Sequence, residues 1–268
     1  MESYKPQSKP QMMERATSPL AEFQPLPTPP SEFYLEAVIV CIQYADFLRE
    51  TLHHNLDHLD DIVVVTSPSD RETLNLCTKW SVRTVATEVH HDRRGDGFNK
   101  GRLINMGLGH LRRLGWTIHL DADIVLPDRF RWMISRRPLD EESIYGMDRL
   151  RVRGWQAWQD LQRDEMFRRP YRDHFCVVPP GLPLGARPVH GSYGYCPIGY
   201  AQMWHSKWRD RRYPENQGTA EHTDVLHSLQ WPWNKRVLLP EVVCYHLETS
   251  GNNWNGRTSP RFGPGEKK

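Results

Sequence analysis

The strongest constraint in this chain is an alternation. Short runs rich in β-branched residues take turns with segments whose apolar residues recur every three or four positions. The run at 37–42 in "YLEAVIVCIQY" and the stretches "DIVVVTSPSD", "VRTVATEV" and "WTIHLDADIVL" read as four strands. Between them, Leu48, Leu52, Leu56 and Leu59 mark one helical face, and Leu74, Cys77 and Trp80 a second behind a capping Asp70. Ile104, Leu108 and Leu111 mark a third, entered through Asn99. Strands alternating with helices imply an α/β domain, with a mostly parallel sheet covered on both faces. Such sheets bind ligands at the carboxyl ends of their strands.

Residues 1–33 are Pro-rich and poor in branched apolar side chains, which predicts a disordered tail. One domain is expected over 34–250, with a first half at 34–130 and a less regular second half at 131–250, then a basic tail at 251–268. The net charge of +2 names no partner, but residues 149–172 carry seven arginines against three acids. Five cysteines at 41, 77, 176, 196 and 244 are far apart and odd in number, which suits a reducing, cytoplasmic compartment. No run of 18 apolar residues suggests a transmembrane helix, and the N-terminus lacks a secretory layout.

The fourth strand ends in Asp121 and Asp123. Carboxylates at i and i+2 of a strand share a side, and ionised together they repel and resist desolvation. One reading is a divalent cation, Mn²⁺ or Mg²⁺, which takes oxygen ligands and keeps positions for substrate phosphates. The other is a strand end whose acids cap the next turn.

The strands "AVIVCIQY" and "DIVVVTSPSD", the helix entry "FNKGRLINMGL" and the motif "LDADIVLP" together resemble the nucleotide-sugar half of GT-A glycosyltransferases, especially family 2. The resemblance implies a GT-A fold: a Rossmann-like, mostly parallel central sheet with helices on both faces and a small acceptor-side subregion. It implies a nucleoside diphosphate sugar as donor, a UDP-sugar first among these, and Mn²⁺ or Mg²⁺. Asp123 becomes the main metal ligand, Asp121 a ligand to ribose or to the metal's surroundings, and His246 in "VCYHLE" the residue completing the metal site. "TAEHTDVLHSLQWP" looks like the acidic motif that supplies the base in inverting members. Asp224 and Glu221 both fit, because two acids stand apart here where the family motif has adjacent ones.

Other positions carry two readings each. Lys100 and Arg102 open a helix and would bind the diphosphate, or form a solvated basic turn. Asp70 would bind the uracil or ribose, or cap its helix; Tyr44 would flank the base, or sit in the core. The loop "HGSYGYCPIGYAQMWH", with Gly191, Tyr193, Gly194 and Gly199, would line the donor sugar and acceptor, or pack as a structural turn.

The Arg- and Trp-rich stretch offers Arg149, Arg151, Arg153, Trp155 and Trp158 as candidate nucleic-acid contacts, arginine for phosphates and tryptophan for stacking. With it, the motif set resembles the phage and kinetoplastid enzymes that glycosylate hydroxymethylated pyrimidines in DNA, which implies a DNA acceptor and base flipping. A solvated face with core tryptophans is the alternative, as is a saccharide, lipid or protein acceptor. A sugar nucleotidyltransferase would carry a Gly-rich basic signature after the first strand, and "CIQYADFLRE" has none. A non-catalytic nucleic-acid-binding protein would have no need of Asp121, Asp123, Asp224 and His246.

Overall fold

The computed structural model describes residues 33–89, 98–163, 189–190, 194–215, 220, 222–251, 253 and 256–264. The expected Pro-rich tail therefore lies outside the described residues, except for Phe33.

Strands β1 (Leu35–Val40), β2 (Asp61–Thr66), β3 (Arg83–Ala86) and β4 (Trp116–Asp121) form a parallel block in the order β3-β2-β1-β4. Helices α1 (Ala45–Asn55), α2 (Arg71–Lys79) and α3 (Lys100–Leu108) connect them. The period-2 pattern decides which face each residue serves. Ala37, Ile39, Ile62 and Val64 pack with Leu48, Leu52, Leu76 and Cys77. Val38, Val63 and Val65 face the other way and pack with Leu103, Ile104 and Leu108. Gly107 is needed for that second layer, since a Cβ there would lie 2.2 Å from Val38 Cγ2. The helices stop earlier than the apolar spacing predicts. A 3₁₀ turn takes over at Leu56–His58, and α3 ends at Leu108 before Leu111.

The second half continues the same sheet. β9 (Ala201–His205) runs antiparallel to β4 and to β6 (Ile144–Arg153), and β6 is parallel to β10 (Arg236–Glu248). β5 (Ile124–Val125) closes the order β3-β2-β1-β4-β9-β6-β10-β5 by pairing antiparallel with β10. Four of the seven pairings are thus parallel, and the result is a mixed α/β sheet with helices around it. A hairpin of β7 (Val189–His190) and β8 (Gly194–Tyr195) forms a separate two-stranded sheet. Two short helices, α4 (Phe130–Ser135) and α6 (Thr223–Ser228), flank α5 (Trp155–Arg163) in the chain.

The arginine- and tryptophan-rich stretch divides on folding. Leu150 and Val152 point into a core cluster with Phe47, Trp158, Leu161, Leu247 and Phe262. Trp158 is 0% exposed and its indole N–H donates to Glu50, so it is a core residue and not a stacking platform for a base. Trp155 is half-buried, with its ring edge-on to Phe262 at 5.5 Å. The segment expected as a basic tail is docked at its start: Phe262 is buried and stacks on Phe47 at 4.8 Å. Cys41, Cys77, Cys196 and Cys244 are free and buried. Among the described residues no helix is long and apolar enough to cross a membrane.

Several histidines are buried in their neutral form. Burial holds His227 at about 3, and His54 and His58 at about 4, well under the ordinary value near 6.5. The unfolded chain takes up these protons first, so the contribution of these three histidines is complete above pH 6.5 and is lost as pH drops from there toward their folded values. The slope is at most about 1.4 kcal/mol per pH unit for each histidine. Urea midpoints should therefore decline from pH 7 to pH 4. His227→Phe keeps the aromatic stack on Tyr213, 3.8 Å between centroids, and should flatten the decline.

Candidate functional site

The carboxyl ends of β1 and β4 open into a cleft of about 460 Å³. Its walls bring together Tyr44, Lys100, Asp121, Asp123, Gly199, Asp224 and His246 from across the sequence. Arg149, Arg151, Glu248 and Arg257 line it as well.

The Asp121–Asp123 turn is clamped from α1. Thr51 donates to the carbonyl of Ala122 at 2.8 Å. Asn55 donates to the Ile124 carbonyl and accepts from the Leu126 N–H, both at 2.8 Å. On the other side, the N–H of Leu247 donates to the Asp123 carbonyl at 2.9 Å. The pairing of His246 with Ile124 across β10 and β5 then sets His246 beside Asp123.

The two aspartates do not share one partner. Asp121 ends β4, and its carboxylate lies 2.7 Å from Lys100 Nζ and 3.5 Å from His119 Nε2. Asp123 lies one turn further on, with Oδ2 3.4 Å from His246 Nε2 and Oδ1 buried without a hydrogen-bond partner. Among the described residues no group of three or more His, Cys, Asp or Glu side chains forms a ready metal cage. The donor set nevertheless suits a hard divalent cation at Asp123 and His246. One carboxylate oxygen is unused, and His246 Nδ1 is buried 3.2 Å from Glu248 Oε1, the kind of carboxylate neighbour that ligating histidines commonly have. Asp121 belongs to Lys100 in this arrangement, not to a common ligand set.

Electrostatics follow from the crowding. Burial works against charge on His246, but Asp123 and Glu248 outweigh it and hold the imidazole up at about 9. Burial also opposes charge on Glu248, but His246 and Arg151 hold it down at about 2. Burial disfavours the Lys100 ammonium too, and Asp121, Asp224 and Asp123 together raise its pKa. Burial raises Asp121, since its close neighbours Asp123 and Asp224 offset part of what Lys100 supplies.

Asp224 sits in the first turn of α6. Its Oδ2 accepts the Gly199 N–H, and its Oδ1 accepts the Val225 N–H at 3.0 Å. A Cβ on Gly199 would meet Asp224 Oδ2 at 2.7 Å, so only glycine lets the carboxylate sit there. Glu221, Gly191 and Tyr193 lie outside the described residues.

Some expected residues serve elsewhere. Asp70 caps α2 and accepts from Thr73 N at 3.2 Å, Thr73 Oγ1 at 2.8 Å and Gln43 N at 2.6 Å. It faces a second cleft, with Arg71, Glu72 and Arg261. Arg102 is not among the cleft's lining residues; its backbone N–H is capped by Asn99. Arg153 is largely exposed, 3.7 Å from Glu248.

Sequence reasoning missed Glu248 and Arg257. Glu248 had a signal, since it lies two residues after His246 on the same strand face. Arg257 had none: its partner Asp46 is 211 positions away. Arg257 donates to both Asp46 oxygens and to the Gln43 carbonyl, and its guanidinium covers Tyr44 at 4.9 Å. The Gln43 backbone is left-handed at φ 60°, which turns the chain from β1 into α1 at this point.

No protein-family model matches the chain, and no curated protein matches it. Solved structures share its layering loosely. Crystal structures of glucosyl-3-phosphoglycerate synthase from Mycobacterium tuberculosis match at 12% identity and a TM-score of 0.47, covering 80% of this chain and 71% of that one, in a complex with Mn²⁺, UDP-glucose and phosphoglyceric acid. A complex of the same enzyme with Mn²⁺ and UDP-glucose matches at 10% and 0.47, over 85% and 72%. A further mycobacterial protein matches at 12% and 0.41. Likeness at this level says nothing about chemistry.

Arg257→Met should strand the buried Asp46 carboxylate and cost about 3–5 kcal/mol. Thermal unfolding would register the loss, and faster hydrogen exchange at residues 256–262 would show that the segment has come away.

Proposed function

We propose that this chain is a metal-dependent glycosyltransferase. It moves a sugar from a nucleoside diphosphate donor, UDP first among the candidates, to an acceptor hydroxyl. The observation that supports this reading is the convergence of Asp123, His246, Lys100 and Asp224 on one cleft at the carboxyl end of β4. A cation at Asp123 and His246 would supply Lewis-acid neutralisation of the leaving diphosphate.

The chain's own residues do the rest. His246, with Glu248 3.2 Å from its Nδ1, presents Nε2 beside Asp123. Lys100 keeps its charge between the carboxylates and is the ammonium nearest the departing phosphates once Asp121 turns to the ribose. Tyr44, pressed under Arg257, offers a ring to the nucleoside base. Asp224 accepts the proton of the attacking hydroxyl, its carboxylate held in place by two backbone N–H groups. With Asp224 as the base the transfer is one direct displacement that inverts the anomeric centre, as the resemblance to inverting members implies.

A DNA acceptor draws less support. Trp158 is core, Trp155 packs on Phe262, and Arg151 is tied to Glu248 at 2.6 Å. Arg149 and Arg153 are what remains of that surface.

The test is nucleoside diphosphate release with Mn²⁺ over a panel of nucleotide sugars. Asp123→Asn should lose metal-dependent UDP binding and turnover together; unchanged values for both would sink the proposal. Asp224→Asn should keep UDP binding and lose about 10²–10⁴-fold in kcat. Gly199→Ala, which forces Asp224 aside, should reproduce the Asp224→Asn kinetics without touching the residue itself.

A further inference from the structure

Every cation in the cleft but one has a carboxylate to answer it. Lys100 has Asp121, His246 has Asp123 and Glu248, Arg151 has Glu248, and Arg257 has Asp46. Arg149 has no carboxylate partner among the described residues, and its Nε is buried without a hydrogen bond. Burial of an unanswered charge is costly, so an anion arriving at this point is favoured.

The guanidinium is also held in position. Its Cζ lies over the Tyr200 ring, 4.4 Å from the centroid, and the Tyr200 hydroxyl donates to the Met147 carbonyl on the same strand as Arg149. One side of the cation is therefore covered, and its two Nη groups are left to bind at the cleft. A planar fork of that kind matches a carboxylate or a phosphate through two parallel hydrogen bonds.

Its place in the sheet assigns the ligand. Tyr44 follows β1 and Asp121 ends β4, in the parallel block. Arg149 hangs from β6, separated from β4 by β9, and pairs across with Cys244 on the strand that carries His246. Arg151 and Arg153 continue outward at every second residue, opposite the face that buries Leu150 and Val152. Arg151 and Arg153 both have Glu248 beside them, so Arg149 is the member of this row left to draw an anion into the cleft.

We infer that Arg149 receives an acidic group, phosphate or carboxylate, carried by the acceptor. The acceptor is then a small hydroxylated acid, not a neutral sugar. This rests on the glycosyltransferase reading above.

The experiment uses the full chain loaded with UDP and Mg²⁺. Inorganic phosphate and acetate are titrated separately into wild type, Arg149→Gln and Arg149→Lys, and binding is followed by calorimetry. At least one anion should bind wild type, and which one separates phosphate from carboxylate acceptors. Arg149→Gln should weaken that anion at least tenfold with UDP affinity unchanged, and Arg149→Lys should recover part of the loss. With a UDP-sugar, glucose 6-phosphate or glucuronate should stimulate UDP release more than glucose does, and Arg149→Gln should raise the KM of the acidic acceptor more than it lowers kcat.

Equal anion binding in wild type and Arg149→Gln, or none in wild type, overturns the inference. Weaker UDP binding in Arg149→Gln also overturns it, by making Arg149 a donor residue. Salt-steep binding of a single-stranded oligonucleotide that depends equally on Arg149, Arg151 and Arg153 would replace the small acid with a nucleic acid. UDP binding that ignores the metal and Asp123→Asn is a different failure: it removes the glycosyltransferase reading, and this inference with it. Metal-dependent UDP binding without an anion effect defeats the inference alone.

Discussion

Four carboxylates at one cleft cannot stay ionised side by side without cations among them. Asp121, Asp123, Asp224 and Glu248 all line the space at the end of β4. Lys100, His246 and Arg151 are set between them, and each is placed by a different part of the chain. Lys100 depends on the cap at Asn99 and on the close seat of α3, which Gly107 permits against Val38. His246 depends on β5 pairing with β10, and Arg151 on the register of β6 against β10. The sheet order is therefore an electrostatic requirement as much as a packing solution. A slip of one residue in either pairing would turn these side chains to the wrong face.

Helix α1 ties that arrangement to the core. Its apolar face fills the sheet, but its buried Thr51 and Asn55 hold the turn that bears Asp123. These polar groups are fully hidden and fully bonded, so they position the turn without the penalty of an unanswered polar atom. Arg257 performs a comparable task at the other end of the helix, drawing the C-terminal segment onto Asp46 and Tyr44. Part of the cleft wall is thus built from residues that follow the last strand.

Much of the first half was legible because its signals are local. Strand runs, helix stripes and the caps at Asp70 and Asn99 depend on neighbours within a few residues. The meeting of Asp123, Asp224 and His246 was expected from motif order and is met in one cleft. Where two readings stood open, distant packing decided between them. Asp70 spends its carboxylate on Thr73 and Gln43. Trp158 looks like a surface aromatic in an arginine-rich stretch, but Phe47 and Phe262 bury it.

The sequence by itself determined the alternating strand–helix block, the carboxylates that end its fourth strand, and the histidine and acid that follow later. Periodicity and side-chain chemistry are properties of short segments, so they survive without coordinates. Only the tertiary structure decided that Asp121 belongs to Lys100 and Asp123 to His246, that Arg257 closes the wall, and that Arg149 has no carboxylate partner among the described residues. Those are statements about which charges come within a few ångströms of each other, and sheet pairing, helix seating and the docked C-terminal segment together fix that.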